Sequence, residues 1–188
     1  MPKKVLIVLV DGFEEIEAVT PIDILRRAGL EVVVAGLEKK EVTGSHGIHL
    51  TADILLTDIA AQGRAPLPDA VVLPGGPGAE KLGGSADLAS FLEKMKNSDR
   101  LIGAICAAPA VVLGSAGMLD GKKATCFPGY EKQLGPKVTF VENRVVTDGK
   151  IVTSRAAGTA LEFSLELVRR LADERTAAEV GRQIMARD

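Results

Sequence analysis

The sequence predicts a single α/β domain, a mostly parallel sheet with helices on both faces, and three observations point to it. Its 188 residues suit one domain of ~100–200 residues. Residues 5–10, 70–73 and 101–105 are near-continuous apolar runs, as parallel strands covered on both faces require. Between these runs lie segments with helical spacing, and such alternation builds a parallel sheet.

The elements follow in order. Residues 5–10 read as the first strand, and 14–28 as a helix with Ile16, Val19 and Leu25 at helical spacing and Gly29 as its stop. Pro21 lies inside that helix and is expected to kink it or split off its first turn. Residues 31–37 form a second strand. Residues 41–43 and 48–51 flank Gly44-Ser45-His46-Gly47, which reads as a hairpin. Asp53 is expected to cap a short helix ending at Ala61. The loop 63–68 leads into a buried strand at 70–73, and Gly75-Gly76-Pro77-Gly78 forms a tight loop. A helix over 86–96 takes Ser85 as its cap. Strand 101–105 precedes a helix over 107–113, with further strands at 123–126, 138–141 and 150–153. The last strong helix begins at Thr159, which has capping-box spacing to Glu162, and Leu161, Leu165 and Val168 form its stripe. A terminal helix ends at Ile184, with 173–182 as a solvated face. No repeat or linker divides 1–188.

Composition excludes several function classes. Hydrophobic residues make up 46 % but aromatic ones only 3 %, with no Trp. The core is therefore Val, Leu, Ile and Ala, and little remains to stack a flavin or nucleotide base. A net charge of −2 gives no basic surface for nucleic acid or an anionic membrane. Two Cys and two His exclude a disulfide scaffold and a Cys-rich zinc module. Free thiols suit a reducing, cytoplasmic location, and no stretch reads as a targeting or membrane-spanning segment. No metal and no cofactor are expected.

Ligands of an open α/β sheet bind beyond the carboxyl ends of its strands. Segments 11–17, 74–78, 106–109 and 154–158 all follow such ends. Cys106 comes directly after an apolar strand, among the small residues of Ala107-Ala108-Pro109-Ala110, which permit the sharp turn of a nucleophile elbow. A thiol at a helix start faces free N–H groups and a positive dipole end, so its pKa is expected to fall; the alternative is an inert buried Cys. Gly75 and Gly76 let backbone N–H groups approach a ligand. No Lys-Ser/Thr follows them, so this is not a phosphate loop. Glu14 and Glu17 share a helix face while Glu15 points elsewhere. If Glu17 faces the thiol, burial and charge would raise its pKa and make it an acid/base. His46 and His49 read as surface or interface residues, since nothing completes a metal site around them. Cys126 reads as structural.

The stretches VLIVLVDGFEEIEAVTPIDILRRAGLEV, VVLPGGPGAEKL, LIGAICAAPAVV and ENRVVTDGKIVTSRAAGTALEF together resemble the ThiJ/PfpI superfamily, and within it the DJ-one branch. The resemblance implies a flavodoxin-like sandwich that forms a homodimer. It implies an oxidation-sensitive nucleophile at Cys106 and a carboxylic acid partner at Glu17. Pocket N–H groups would come from Gly75, Gly76 and Ala107, and dimer contacts from Glu14, Arg27 and His46. The activities it implies are a glyoxalase that needs no glutathione, a deglycase acting on glycated protein or nucleotide, and redox-regulated chaperoning. No His follows Cys106, and Ala107 and Phe127 stand where relatives place one. A cysteine peptidase is therefore disfavoured. The leading expectation is methylglyoxal or glyoxal conversion by a Cys–Glu pair. The rival is an oxidative-stress sensor and chaperone that oxidises Cys106 without a substrate.

Overall fold

The structure, a computed structural model, describes residues 2–61 and 66–186; residues 63–65 of the expected loop fall outside them. The chain runs through β1 (Lys4–Leu9), α1 (Glu15–Arg27), β2 (Glu31–Gly36), β3 (Glu41–Thr43), β4 (His49–Thr51), β5 (Ile54–Leu55), α2 (Leu56–Ala61) and β6 (Ala70–Leu73). It continues through α3 (Ala79–Gly83), α4 (Ala86–Asn97), β7 (Leu101–Ile105), a π-helical turn (Pro109–Gly114), β8 (Lys123–Ala124) and β9 (Thr139–Phe140). Then come β10 (Val145–Asp148), β11 (Ile151–Ser154), α5 (Ala160–Leu171) and α6 (Glu174–Gln183).

Seven strands form one sheet in the order β10-β11-β7-β6-β1-β2-β5. All neighbours pair in parallel except β10 with β11. The chain lays down β2 and β5 on one side of β1, then returns to place β6 on the other. That reversal opens a crevice at the carboxyl ends of β1 and β6. Strand side chains alternate between two cores. Leu6, Val8 and Val10 face one core with α3, α4 and the π-helical turn, whereas Val5, Ile7 and Leu9 face the other with α1, α5 and α6.

Several local expectations change. Helix α1 runs unbroken through Pro21, so Pro21 removes one backbone donor without splitting the helix. The buried side of α1 is Glu15, Glu17, Ala18, Pro21, Ile24 and Leu25, while Ile16 and Val19 are 54 % and 43 % exposed. This helix carries apolar residues around most of its circumference, so their spacing alone did not select the packed face. The carboxylate of Asp53 accepts the Val34 N–H at 2.8 Å instead of capping α2, and Asp58 takes the Leu55 N–H at 2.9 Å. Thr159 makes no side-chain cap on α5; its hydroxyl bonds Ser154 Oγ at 2.7 Å, and Glu162 goes to Arg144 at 2.7 Å. The α5 stripe is Phe163, Leu167, Val168 and Leu171, with Leu161 and Leu165 only partly buried. Strand β10 was not foreseen. Ser85 caps α4 by accepting the Leu88 N–H at 3.2 Å, as expected. Among the described residues, no helix is long and apolar enough to cross a membrane.

Candidate active site

Three chain reversals meet at the crevice beside β1, β6 and β7. After β1, Gly12 accepts the Gly78 N–H at 2.9 Å and the Glu14 N–H donates to the Gly75 carbonyl at 3.0 Å, tying loop 11–17 to loop 74–78. After β7, the Cys106 N–H donates to the Ser154 carbonyl at 3.0 Å. All four segments singled out by their place after strand ends therefore converge.

Cys106 has φ +66°, a left-handed conformation rare for a residue with a side chain. It lies between the end of β7 and Pro109, the first residue of the π-helical turn, where a missing N–H is tolerated. The expected α-helix over 107–113 is this shorter turn. Cys106 is partly exposed, whereas Cys126 is buried.

Helix α1 carries Glu17 into the same spot. Glu17 is 1 % exposed, accepts the Gly75 N–H at 2.9 Å, and borders Gly75 together with the Cys106 sulfur. Burial raises its pKa most, bonds from Cys106 and Gly75 oppose the rise, and the Glu14 charge adds to it, leaving the carboxyl at about 7. It is thus poised to change protonation near neutrality. Burial, then the Glu17 charge, push the Cys106 thiol up to about 12, against the N–H groups of Gly76 and Ala107 that bond the sulfur. This corrects the expected fall: a dry site beside a carboxylate outweighs the few amides of a short turn. The Gly75 amide is engaged by Glu17, so Gly76 and Ala107 are the amides facing sulfur.

Gly75 is required by close approach. A Cβ there would lie 2.5 Å from Cys106 Cβ and 2.8 Å from Glu17 Oε2, inside van der Waals contact. Glu14 is the N-cap of α1, accepting the Glu17 N–H at 2.8 Å, and so holds the first turn that carries Glu17.

Glu15, set apart from the Glu14–Glu17 face by its spacing, has a side chain that is only 6 % exposed. One oxygen takes the Ile48 N–H at 3.4 Å and also bonds the His46 N–H; the other meets His46 Nδ1 at 2.9 Å and the Ser45 hydroxyl at 3.2 Å. Burial opposes ionisation, but the His46 bonds dominate together and hold Glu15 at about 2, while the same bond raises His46. The signal lay in the hairpin tip: Gly44 leaves the carboxylate its space, and Ser45 and His46 supply donors. Glu14, Glu15 and His46 could bring three ligand atoms together, but the capping and hairpin bonds already occupy these carboxylates. His46 is thus committed to Glu15, and His49 lies 3.0 Å from Thr43 Oγ1; neither is among the bonded partners of the thiol. Arg27 is exposed and pairs with Asp23 at 2.7 Å.

Residues 3–170 match the DJ-1/PfpI family. The chain is 46 % identical over 187 residues to "Protein DJ-1 homolog B" of Arabidopsis thaliana, covering 98 % of this chain and 42 % of that protein, so it spans less than half that relative's length. It is 33 % identical over 159 residues to "Glutathione-independent glyoxalase DJR-1.2" of Caenorhabditis elegans, covering 84 % of this chain and 82 % of that one. The crystal structure of Drosophila melanogaster DJ-1beta superposes with a TM-score of 0.93 at 37 % identity, covering all of both chains.

Proposed function

Because the chain belongs to the DJ-1/PfpI family, we propose that it converts methylglyoxal or glyoxal to the hydroxy acid without glutathione, using Cys106 as nucleophile and Glu17 as acid/base. The observation that carries this reading is a buried Glu17 carboxyl set beside the Cys106 thiol: a single Cβ placed on Gly75 would lie 2.8 Å from Glu17 Oε2 and 3.0 Å from Cys106 Sγ. A relative bearing the name of a glutathione-independent glyoxalase supports it.

Each step balances. Ionised Glu17 takes the thiol proton as sulfur adds to the aldehyde carbon, so the thiolate forms only in contact with its electrophile. The Gly76 and Ala107 amides steady the developing oxyanion, which takes the thiol's proton back from Glu17 to close the hemithioacetal and leaves Glu17 ionised. Glu17 then moves the aldehyde hydrogen, as a proton, to the neighbouring carbon through an enediol, which leaves a thioester of the 2-hydroxy acid. Water hydrolyses that thioester, and the thiol returns with its proton. The net reaction is addition of one water, with no external oxidant.

The test is stereospecific analysis of lactate formed from methylglyoxal by purified protein in thiol-free buffer. One lactate enantiomer is expected, lost in Cys106→Ser and in Glu17→Gln. Racemic product, or turnover retained in either variant, overturns the mechanism.

A second reading rests on the same carboxyl. A protonated Glu17 beside sulfur, with two amides, would also stabilise a Cys106 sulfinate formed by peroxide, as an oxidative-stress sensor requires. A homodimer fits the exposed apolar residues Ile16, Val19 and Ile48, with Glu14, Arg27 and His46 close by in sequence.

A further inference from the structure

The chain has five Phe and one Tyr. Phe13, Phe91 and Phe163 are buried in the core, but Phe127 is 40 % exposed. Leaving an aromatic ring in water forfeits the gain of burying it, so its position needs a reason.

The local sequence builds a rigid mount for that ring. Phe127-Pro128-Gly129-Tyr130 has Pro second and Gly third, the order of a type II turn. Gly129 has φ +94°, as the third position demands, and the Tyr130 N–H closes the turn on the Phe127 carbonyl at 3.2 Å. Both Glu131 carboxylate oxygens accept the Gly129 N–H, at 3.0 and 2.9 Å. The Tyr130 ring meets Phe127 edge-on, with centroids 6.4 Å apart and planes at 70°, a favoured aromatic geometry.

The mount is fastened to the thiol residue itself. The Phe127 N–H donates to the Cys106 carbonyl at 2.8 Å, so the two backbones are in direct contact. Cys126, one residue earlier, is buried in the core, whereas Phe127 at the start of the turn stays exposed. Phe127 therefore projects outward, beside a cysteine that is itself partly exposed.

We propose that Phe127, braced by Tyr130, is an apolar wall of the approach to Cys106 and selects electrophiles that carry a planar or bulky apolar group next to the reacting carbonyl, aryl α-oxoaldehydes over methylglyoxal. This rests on the aldehyde-converting reading for its turnover consequence, but the wall itself is testable without catalysis. No imidazole stands here to move protons, so Phe127 acts on the substrate's side group and Glu17 keeps the proton chemistry.

The experiment has two arms. In the first, rate constants for alkylation of Cys106 by N-phenylmaleimide and N-methylmaleimide are measured by mass spectrometry in the wild type, Phe127→Ala and Phe127→Tyr. The phenyl-to-methyl ratio should fall about five- to tenfold in Phe127→Ala, the scale of a lost aromatic contact, and be kept in Phe127→Tyr. In the second, kcat/KM for phenylglyoxal over methylglyoxal should fall by the same factor. An alkylation ratio unchanged in Phe127→Ala, or lost equally in Phe127→Tyr, overturns the wall. If the alkylation ratio falls but neither aldehyde is turned over, the wall stands and the glyoxalase reading fails. If both aldehydes are turned over and neither ratio moves, the wall alone fails.

Discussion

Replacing Glu17 with Gln should remove the chemistry and strengthen the fold. The Glu17 side chain is 1 % exposed and its carboxyl is raised from 4.5 to about 7. An acid raised in the folded state binds more protons folded than unfolded between those two values, so its contribution to stability falls as pH climbs through that window. The rise corresponds to roughly 3 kcal/mol of destabilisation once Glu17 is ionised, at about 1.4 kcal/mol per pH unit. Gln keeps an oxygen for the Gly75 N–H and an amide for the sulfur, without the charge. Denaturant unfolding of wild type and Glu17→Gln should therefore give similar stabilities near pH 4.5. The variant should lead by up to about 3 kcal/mol at pH 8, for a protein of this size a shift of roughly 6–12 °C in Tm. Groups titrating equally in both proteins, such as Glu15, cancel in the difference. A gap that stays flat from pH 4.5 to 8, or a variant that weakens relative to wild type as pH rises, would refute the claim that burial holds this proton.

Glu15→Ala leaves the His46 and Ile48 amides without their acceptor and should lower stability by about 2–4 kcal/mol in denaturant unfolding; an effect below 0.5 kcal/mol would show that the carboxylate does not clasp the hairpin. In the wild type, stability contributed by ionised Glu15, held at about 2, should be fully present above pH 4.5 and disappear as pH falls through 2, which acid unfolding of wild type and Glu15→Gln in parallel would detect. Gly75→Ala forces a methyl against Cys106 and Glu17 and should destabilise by about 1–3 kcal/mol, with a slower reaction of Cys106 with iodoacetamide; normal thiol kinetics would contradict the close packing. Under mild peroxide, mass spectrometry should find oxidation at partly exposed Cys106 before buried Cys126, and the reverse order would remove the sensor reading.

Much of the frame was legible because it is local. The runs 70–73 and 101–105 coincide with β6 and β7, since an unbroken apolar stretch between turn residues has few other ways to hide. The Gly44–Gly47 tip lies between paired β3 and β4, and Ser85 caps α4, as side-chain chemistry at those positions implied. The π-helical turn after Cys106, the face of α1 and the antiparallel β10 were not legible, because each depends on what packs against it. Leu161 and Leu165 show the same limit on α5: their spacing is helical, but Phe163 and Leu167 reach the sheet.

The sequence by itself determined which residues could carry chemistry. With two Cys and two His in the chain, and Cys106 directly after a strand among small neighbours, the candidates were few. Strand ends in a parallel sheet brought segments 11–17 and 74–78 toward that thiol by topology alone. Only the tertiary structure decided the protonation of the pair. Burial lifts both Glu17 and Cys106, whereas the same carboxyl type two residues earlier, wrapped by His46 and its hairpin, is held at about 2. Neighbouring glutamates of one helix turn thus take opposite charge behaviour, because a pKa is set by the solvation and hydrogen bonds that distant segments supply.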